Sequence, residues 1–192
     1  MREVRLIVIT GLPGTGKSSL ARQLARRYRM SLLAKDTIKE PLVRIVHGLC
    51  APPAGIASRQ LSDAAFSLLF ALAAEQLMHA TDLILEGNFR APEHEPALRH
   101  ALPRSGVRVA QVLCRSAEPG RLARLMSRHS QSRHPVHRLE DEMQRAAPCD
   151  RFLELPGERL VYENGDEWRE RAEALLVWLD RFHADARAEL PT

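Results

Sequence analysis

The sequence predicts an α/β protein built on a parallel sheet with helices on both faces. Three observations predict it. Short β-branched runs alternate with stretches of helical spacing. A glycine-rich loop joins the first run to the first helix, and 192 residues suit one domain with a sizeable core. Apolar residues make up 45% and charged residues 27%, a globular composition rather than a disordered one.

Arg5 to Thr10 is a β-branched apolar run stopped by glycine, as expected of a strand buried on both sides. Ser18 to Arg29 follows, with Leu20, Leu24 and Tyr28 at helical spacing. Leu32 to Ala34 reads as a second strand. Asp36 comes next, a residue type suited to cap a helix starting at Thr37-Ile38-Lys39. Gly48 to Gly55, with Pro52-Pro53, is the clearest loop. Asp63 to His79 is strongly helical, and Phe66, Leu69, Phe70 and Leu72 are expected in its core face. Leu83 to Glu86 is a third strand, running into Gly87-Asn88. Val107 to Cys114 alternates like a strand, Leu122 to Arg128 is helical, and Ser130 to His137 is a polar, proline-bearing loop. Leu160 to Tyr162 reads as the last strand and Glu167 to Arg187 as a closing amphipathic helix. With no repeat and no boundary, residues 1–192 form one domain.

Several classes of function are excluded. The longest uncharged apolar run, Ala64 to Ala74, is short of a bilayer span. Only Leu6 to Ile9 follow Arg2 and Arg5 before glycines begin, which gives no signal-peptide core. Cys50, Cys114 and Cys149 show neither metal-ligand nor disulfide spacing, a pattern expected of a protein in a reducing cytoplasm. The net charge is +4, and all basic residues but Lys17, Lys35 and Lys39 are arginine. Aromatics are only 5%, which leaves few platforms for stacking single strands, so nucleic acid is not the expected partner. His134-Pro-Val-His137 has no third ligand in view and reads as loop rather than metal site.

Gly11-Leu-Pro-Gly-Thr-Gly-Lys-Ser18 carries the chemistry. Two glycines, a lysine and a hydroxyl residue fall at the spacing of a phosphate loop, between a strand and a helix where the mechanism needs them. Gly11, Gly14, Thr15, Gly16 and Ser19 belong to the same cradle, whose amides and helix N-terminus favour phosphate. Lys17 is expected on the β- and γ-phosphates and Ser18 on Mg²⁺, with ATP as the nucleotide. No guanine-reading Asn-Lys-x-Asp sequence occurs. Asp36 stands past the end of the second strand, where a carboxylate meets an acceptor hydroxyl and takes its proton. Arg121, Arg124, Arg128 and Arg133 follow the fourth strand, with Arg124 and Arg128 on one helical face. Cations there close over a moving phosphoryl group as a lid, which sets the lid at about 121–140.

The chain resembles the small ATP-dependent P-loop kinases: the AAA_33 type, chloramphenicol phosphotransferase, gluconate kinase and the zeta toxins. The resemblance rests on Gly11 to Ser19, Asp36, Leu83-Ile-Leu-Glu-Gly-Asn-Phe89 and Arg124-Leu-Met-Ser-Arg128. It implies a five-stranded parallel sheet with a short lid, the P-loop NTPase fold, and Mg-ATP as donor. It also implies Asp36 as acceptor-binding base and Arg124 and Arg128 as catalytic lid arginines. Glu86 departs from the aspartate usual at that strand end, and stays open between a water-mediated magnesium ligand, a substrate contact and a salt bridge. The acceptor segment is expected over about 36–80, joined by Asn88 and by Arg90, which suits an acidic substrate group or plain surface. The expected reaction transfers the γ-phosphoryl of ATP to a hydroxyl of a small molecule. A polynucleotide 5′-hydroxyl kinase, a nucleoside-monophosphate kinase and an ATP-binding regulatory module are the alternatives. Leu175, Leu176, Leu179 and Phe182 suit a core and an interface equally, so the oligomeric state is not read from the sequence.

Overall fold

The computed structural model describes residues 3–49, 58–103, 105–131, 150–165 and 168–188. Strand β1 (Val4–Gly11) leads through the glycine loop into α1 (Lys17–Tyr28). Then come β2 (Ser31–Ala34), α2 (Lys35–Leu49), α3 (Ser58–Met78), β3 (Leu83–Glu86) and α4 (Ala91–Ala101). The order closes with β4 (Val107–Arg115), α5 (Glu118–Gln131), β5 (Glu158–Glu163) and α6 (Trp168–Ala188). The five strands are all parallel, in the order β2-β3-β1-β4-β5.

Side-chain alternation divides the core. In β1, Leu6 and Val8 face α3 and α4, and in β3 Leu83 and Leu85 do the same; Phe66, Leu69, Phe70, Phe89 and Leu98 fill that layer. Ile7, Ile9 and Ile84 point the other way, onto Leu20 and Leu24 of α1 and Leu175, Leu179 and Phe182 of α6. A central parallel strand has no solvent face, which is why β1 reads as an unbroken apolar run.

The strands expected from the sequence are all present; two expectations need correction, and one helix is additional. Helix α2 starts at Lys35, directly on the end of β2, so Asp36 lies within its first turn and does not cap it. Leu72 is 45% exposed, because α3 turns it away from the face that buries Phe66, Leu69 and Phe70. Helix α4 was not anticipated: Pro92 and Pro96 fall within it and argue against a helix. Pro92 costs nothing in the first turn, where the amides have no helical partner. By length and composition, Arg59–Met78 of α3 would cross a membrane, but Phe66, Leu69, Phe70, Ala73 and Leu77 pack it onto the sheet. The expected loop over Gly48 to Gly55 lies outside the described residues beyond Leu49, and that over Ser130 to His137 beyond Gln131.

His94 closes the start of α4. Its Nδ1 accepts the backbone N–H of Arg90 at 2.9 Å, and its ring lies 3.9 Å from that of Phe66. Burial, helped by the charges of Arg90 and Lys35, pushes its pKa down to about 3. The folded protein therefore holds His94 neutral, while the unfolded chain takes up a proton below about pH 6.5. Stability from this group is complete above that pH and is lost as pH falls toward 3. Urea unfolding at pH 7, 6 and 5 should show a decline reaching about 1.4 kcal/mol per unit from this residue. His94→Asn, which keeps an acceptor for Arg90 N–H, should be less stable at pH 7 but fall less steeply; an equal slope would exclude a neutral His94.

Candidate phosphate-binding and acceptor site

The site forms where three strand ends meet. Ile9 of β1 is in register with Glu86 of β3, and Glu86 with Ala34 of β2. The glycine loop leaves β1 here, Glu86 sits in the middle, and Asp36 lies two residues beyond Ala34.

In the loop every carbonyl from Leu12 to Gly16 is engaged. Leu12 O accepts from Lys17 Nζ at 2.8 Å and from Thr15 Oγ1 at 2.9 Å. Pro13 O accepts from Arg121 Nη1 at 3.4 Å and Gly14 O from Arg124 Nε at 2.8 Å. Thr15 O accepts from Asn164 Nδ2 at 3.0 Å. Gly16 O takes the first amides of α1, from Ser19 and Leu20. A trans peptide points its N–H opposite to its C=O. Holding these carbonyls back therefore turns the amides of Gly14, Gly16 and Lys17 the other way, toward the place of an anion, while the Thr15 N–H donates to Leu12 O at 3.4 Å. Gly14 and Gly16 have φ of +82° and +92°. A Cβ on Gly14 would lie 2.7 Å from Arg121 O, and one on Gly16 2.4 Å from Asn164 Nδ2. No side chain fits at either place.

Four charged groups, Glu86, Lys17, Asp36 and Lys35, converge beside the loop. Glu86 is 4% exposed and accepts a hydrogen bond from Ser18. Burial raises its pKa, Lys17 opposes the rise, and the negative charge of Asp36 adds to it. Asp36 Oδ1 lies 2.5 Å from Lys35 Nζ, and Lys35 also stands 5.9 Å from the ring of Phe66. Ser18 and Glu86 together offer hard oxygen donors, hydroxyl and carboxylate, which suit Mg²⁺. Among the described residues no cluster of three His, Cys, Asp or Glu could hold a metal. A cation here would draw its other ligands from phosphate oxygens and water. Cys114 faces the same corner, but burial pushes its thiol up to about 12, so it is no nucleophile.

Of the residues singled out in the sequence, Lys17, Ser18, Glu86 and Asp36 come together. Gly11 ends β1 opposite Cys114, and Ser19 is exposed one residue further into α1. Asn88 is half-buried after β3. Arg90 does not face the cluster as a ready cation: its Nε is 2.6 Å from Glu93 and its Nη2 3.3 Å from Asp63. The acidic partner foreseen for it is supplied by the chain itself. Arg121 and Arg124 reach the outside of the loop, at Pro13 O and Gly14 O, rather than its phosphate side. Arg128 falls in α5, but its side chain lies outside the described residues, as does Arg133.

Sequence reasoning missed the side chains of Lys35 and Asn164 as parts of this region. One signal was available. Of 28 basic residues only three are lysine, and all three, Lys17, Lys35 and Lys39, are buried, at 7%, 7% and 5% exposure. Arginine serves the surface, and lysine is kept where a compact charge is enclosed. Asn164 left no signal, since one asparagine in a turn has many uses.

A central parallel sheet with a glycine loop, lysine and hydroxyl at the end of β1 defines a P-loop nucleotide-binding protein with a kinase-like fold. The chain belongs to the AAA_33 family, described as an AAA domain, which matches residues 6–149. A proposed kinase from Chloroflexus aurantiacus is similar over 97% of this chain and 99% of its own, with 26% identity and a TM-score of 0.79. A gluconokinase from Sinorhizobium meliloti is similar over the full length of both chains, with 16% identity and a TM-score of 0.61. The APS kinase of Mycobacterium tuberculosis, solved with AMPPNP and APS, has 18% identity and a TM-score of 0.59 over 94% of this chain and 99% of its own. The last two share the fold. No curated protein matches the sequence.

The contact of Arg124 with Gly14 O makes a prediction about the protein without ligand. Arg124→Ala should lower unfolding free energy by about 0.5–1.5 kcal/mol, as a hydrogen bond of ordinary worth is lost. Thermal or urea unfolding without nucleotide measures it. No change would restrict Arg124 to a role that begins only when ligand binds.

Proposed function

We propose that this protein is an ATP-dependent phosphotransferase of the cytoplasm that moves the γ-phosphoryl of Mg-ATP to a hydroxyl of a small molecule. The observation that carries the proposal is the convergence of Asp36 with Glu86, Lys17 and Ser18 at one corner of the sheet. A nucleotide switch needs the loop and a cation site, but not a second carboxylate at the neighbouring strand end. The family and the kinase-like neighbours, which include a gluconokinase and an APS kinase, support a small acceptor.

In this reading the amides of Gly14, Gly16 and Lys17 and the N-terminus of α1 bind the polyphosphate. Lys17 leaves Leu12 O and pairs with the β- and γ-phosphate oxygens. Ser18 and Glu86 would hold Mg²⁺, directly or through water, and the ion would there supply charge neutralisation to the polyphosphate. Asp36 orients the acceptor hydroxyl and accepts its proton as the oxygen bonds to phosphorus and the bridging oxygen leaves with ADP. Lys35, 2.5 Å from Asp36 Oδ1, offsets the like charges of Asp36 and Glu86. Residues 36–80 with Asn88 form the acceptor side. Arg128 and Arg133, in the segment of about 121–140, complete the charge over the moving phosphoryl group and exclude water.

Release of ADP from Mg-ATP, followed across small alcohols, sugars, antibiotics, nucleosides, nucleoside monophosphates and 5′-hydroxyl oligonucleotides, tests the proposal. A small hydroxyl compound should stimulate turnover. Asp36→Asn should then lower kcat by about a hundredfold or more while ATP affinity stays nearly unchanged. Unchanged kcat removes Asp36 from the mechanism, and a panel without any hit leaves a nucleotide-binding switch.

Glu86→Gln keeps the shape of the side chain but removes the charge. It should raise the Mg²⁺ concentration needed for half-maximal turnover by about tenfold, as loss of a supporting ligand does. A Mg²⁺ titration at fixed ATP measures it, and an unchanged requirement takes Glu86 out of the cation site.

A further inference from the structure

We infer that Asn164 is a positioning residue for the phosphate cradle, acting from the turn after the edge strand β5. Its backbone N–H donates to Arg115 O at 2.8 Å, which carries the β4–β5 ladder one step past the strand and fixes the residue. Its side-chain Nδ2 donates to Thr15 O at 3.0 Å, across 149 residues of sequence. The Thr15–Gly16 peptide is rigid, so holding its oxygen outward aims the Gly16 N–H inward. The fit is close: a Cβ on Gly16 would fall 2.4 Å from that same Nδ2, and Gly16 has a φ of +92° that L side chains avoid. Loop and carboxamide are therefore seated against each other, and each accounts for the other's identity.

The other braces come from α5, where Arg121 and Arg124 hold Pro13 O and Gly14 O. Asn164 holds the next carbonyl from the turn after β5. Without it the Thr15 carbonyl is free to rotate toward the anion, where its partial negative charge opposes phosphate. Asn164 then governs polyphosphate affinity whatever base the ligand bears. This inference rests on the reading of the loop as a nucleotide phosphate cradle.

The test uses the full chain and its variants Asn164→Ala and Asn164→Asp, titrated calorimetrically with ADP and with inorganic tripolyphosphate, both with Mg²⁺. Aspartate matches asparagine in shape but cannot donate to Thr15 O. Asn164→Ala should weaken both ligands by a similar factor, about threefold to tenfold, the worth of one hydrogen bond. Asn164→Asp should weaken them further. Melting temperature without ligand is measured alongside. A fall in melting temperature with affinities unchanged assigns Asn164 a structural role and overturns the inference. Weaker ADP binding with tripolyphosphate unaffected makes it a contact to the base and also overturns it. Wild-type binding of ADP but not tripolyphosphate, or failure of both variants to fold, does so too. If wild type binds neither ligand, it is the kinase reading that falls.

Discussion

Five consecutive carbonyls, from Leu12 to Gly16, must be pulled away from the place where a polyphosphate would put its charge. Much of the molecule answers to that requirement. A loop that short cannot satisfy its own oxygens, because its peptides are rigid and its residues few. Donors have to arrive from elsewhere. Lys17 and Thr15 supply one carbonyl from within, α5 brings Arg121 and Arg124, and the turn after β5 brings Asn164. These donors stand far apart in the chain, and the sheet order gathers β4 and β5, the strands that lead into them, on one side of β1. The central place of β1 also buries both its faces, so the strand that launches the loop is the least able to shift.

The acidic corner follows from the same arrangement. Parallel strands end together, so a carboxylate closing β3 and one just past β2 stand near each other by construction. Two like charges in a poorly hydrated place repel, and lysines at 17 and 35 stand near them to offset that cost. The site is thus a balanced set of acids and bases that a ligand could re-pair, since Lys17 would gain phosphate oxygens on giving up Leu12 O.

The fold was legible in the sequence wherever one physical rule acted alone. Both-sides burial made β1 and β3 continuous apolar runs, and the cradle announced itself because its glycines, lysine and serine are fixed by backbone geometry. Helix α4 was illegible because its prolines spoke against it, while tertiary packing on Phe66 and Phe89, with His94 serving the Arg90 amide, decided for it. Arg90 read as a substrate contact because its partners, Asp63 and Glu93, meet it only after folding. Arg121 and Arg124 were found, but their reach to the outer side of the loop depends on how α5 leans, which no spacing encodes. Asp36 was placed correctly as to strand end and wrongly as to helix cap, since β2 passes into α2 without an intervening turn.

The confinement of lysine to three enclosed positions has a practical consequence. The exterior carries its positive side-chain charge on arginine, so all the lysine amines of the chain are enclosed. Reagents that acylate amines would pass over the folded exterior and report instead on how accessible the cleft is. A nucleotide seated on Lys17 would slow that labelling.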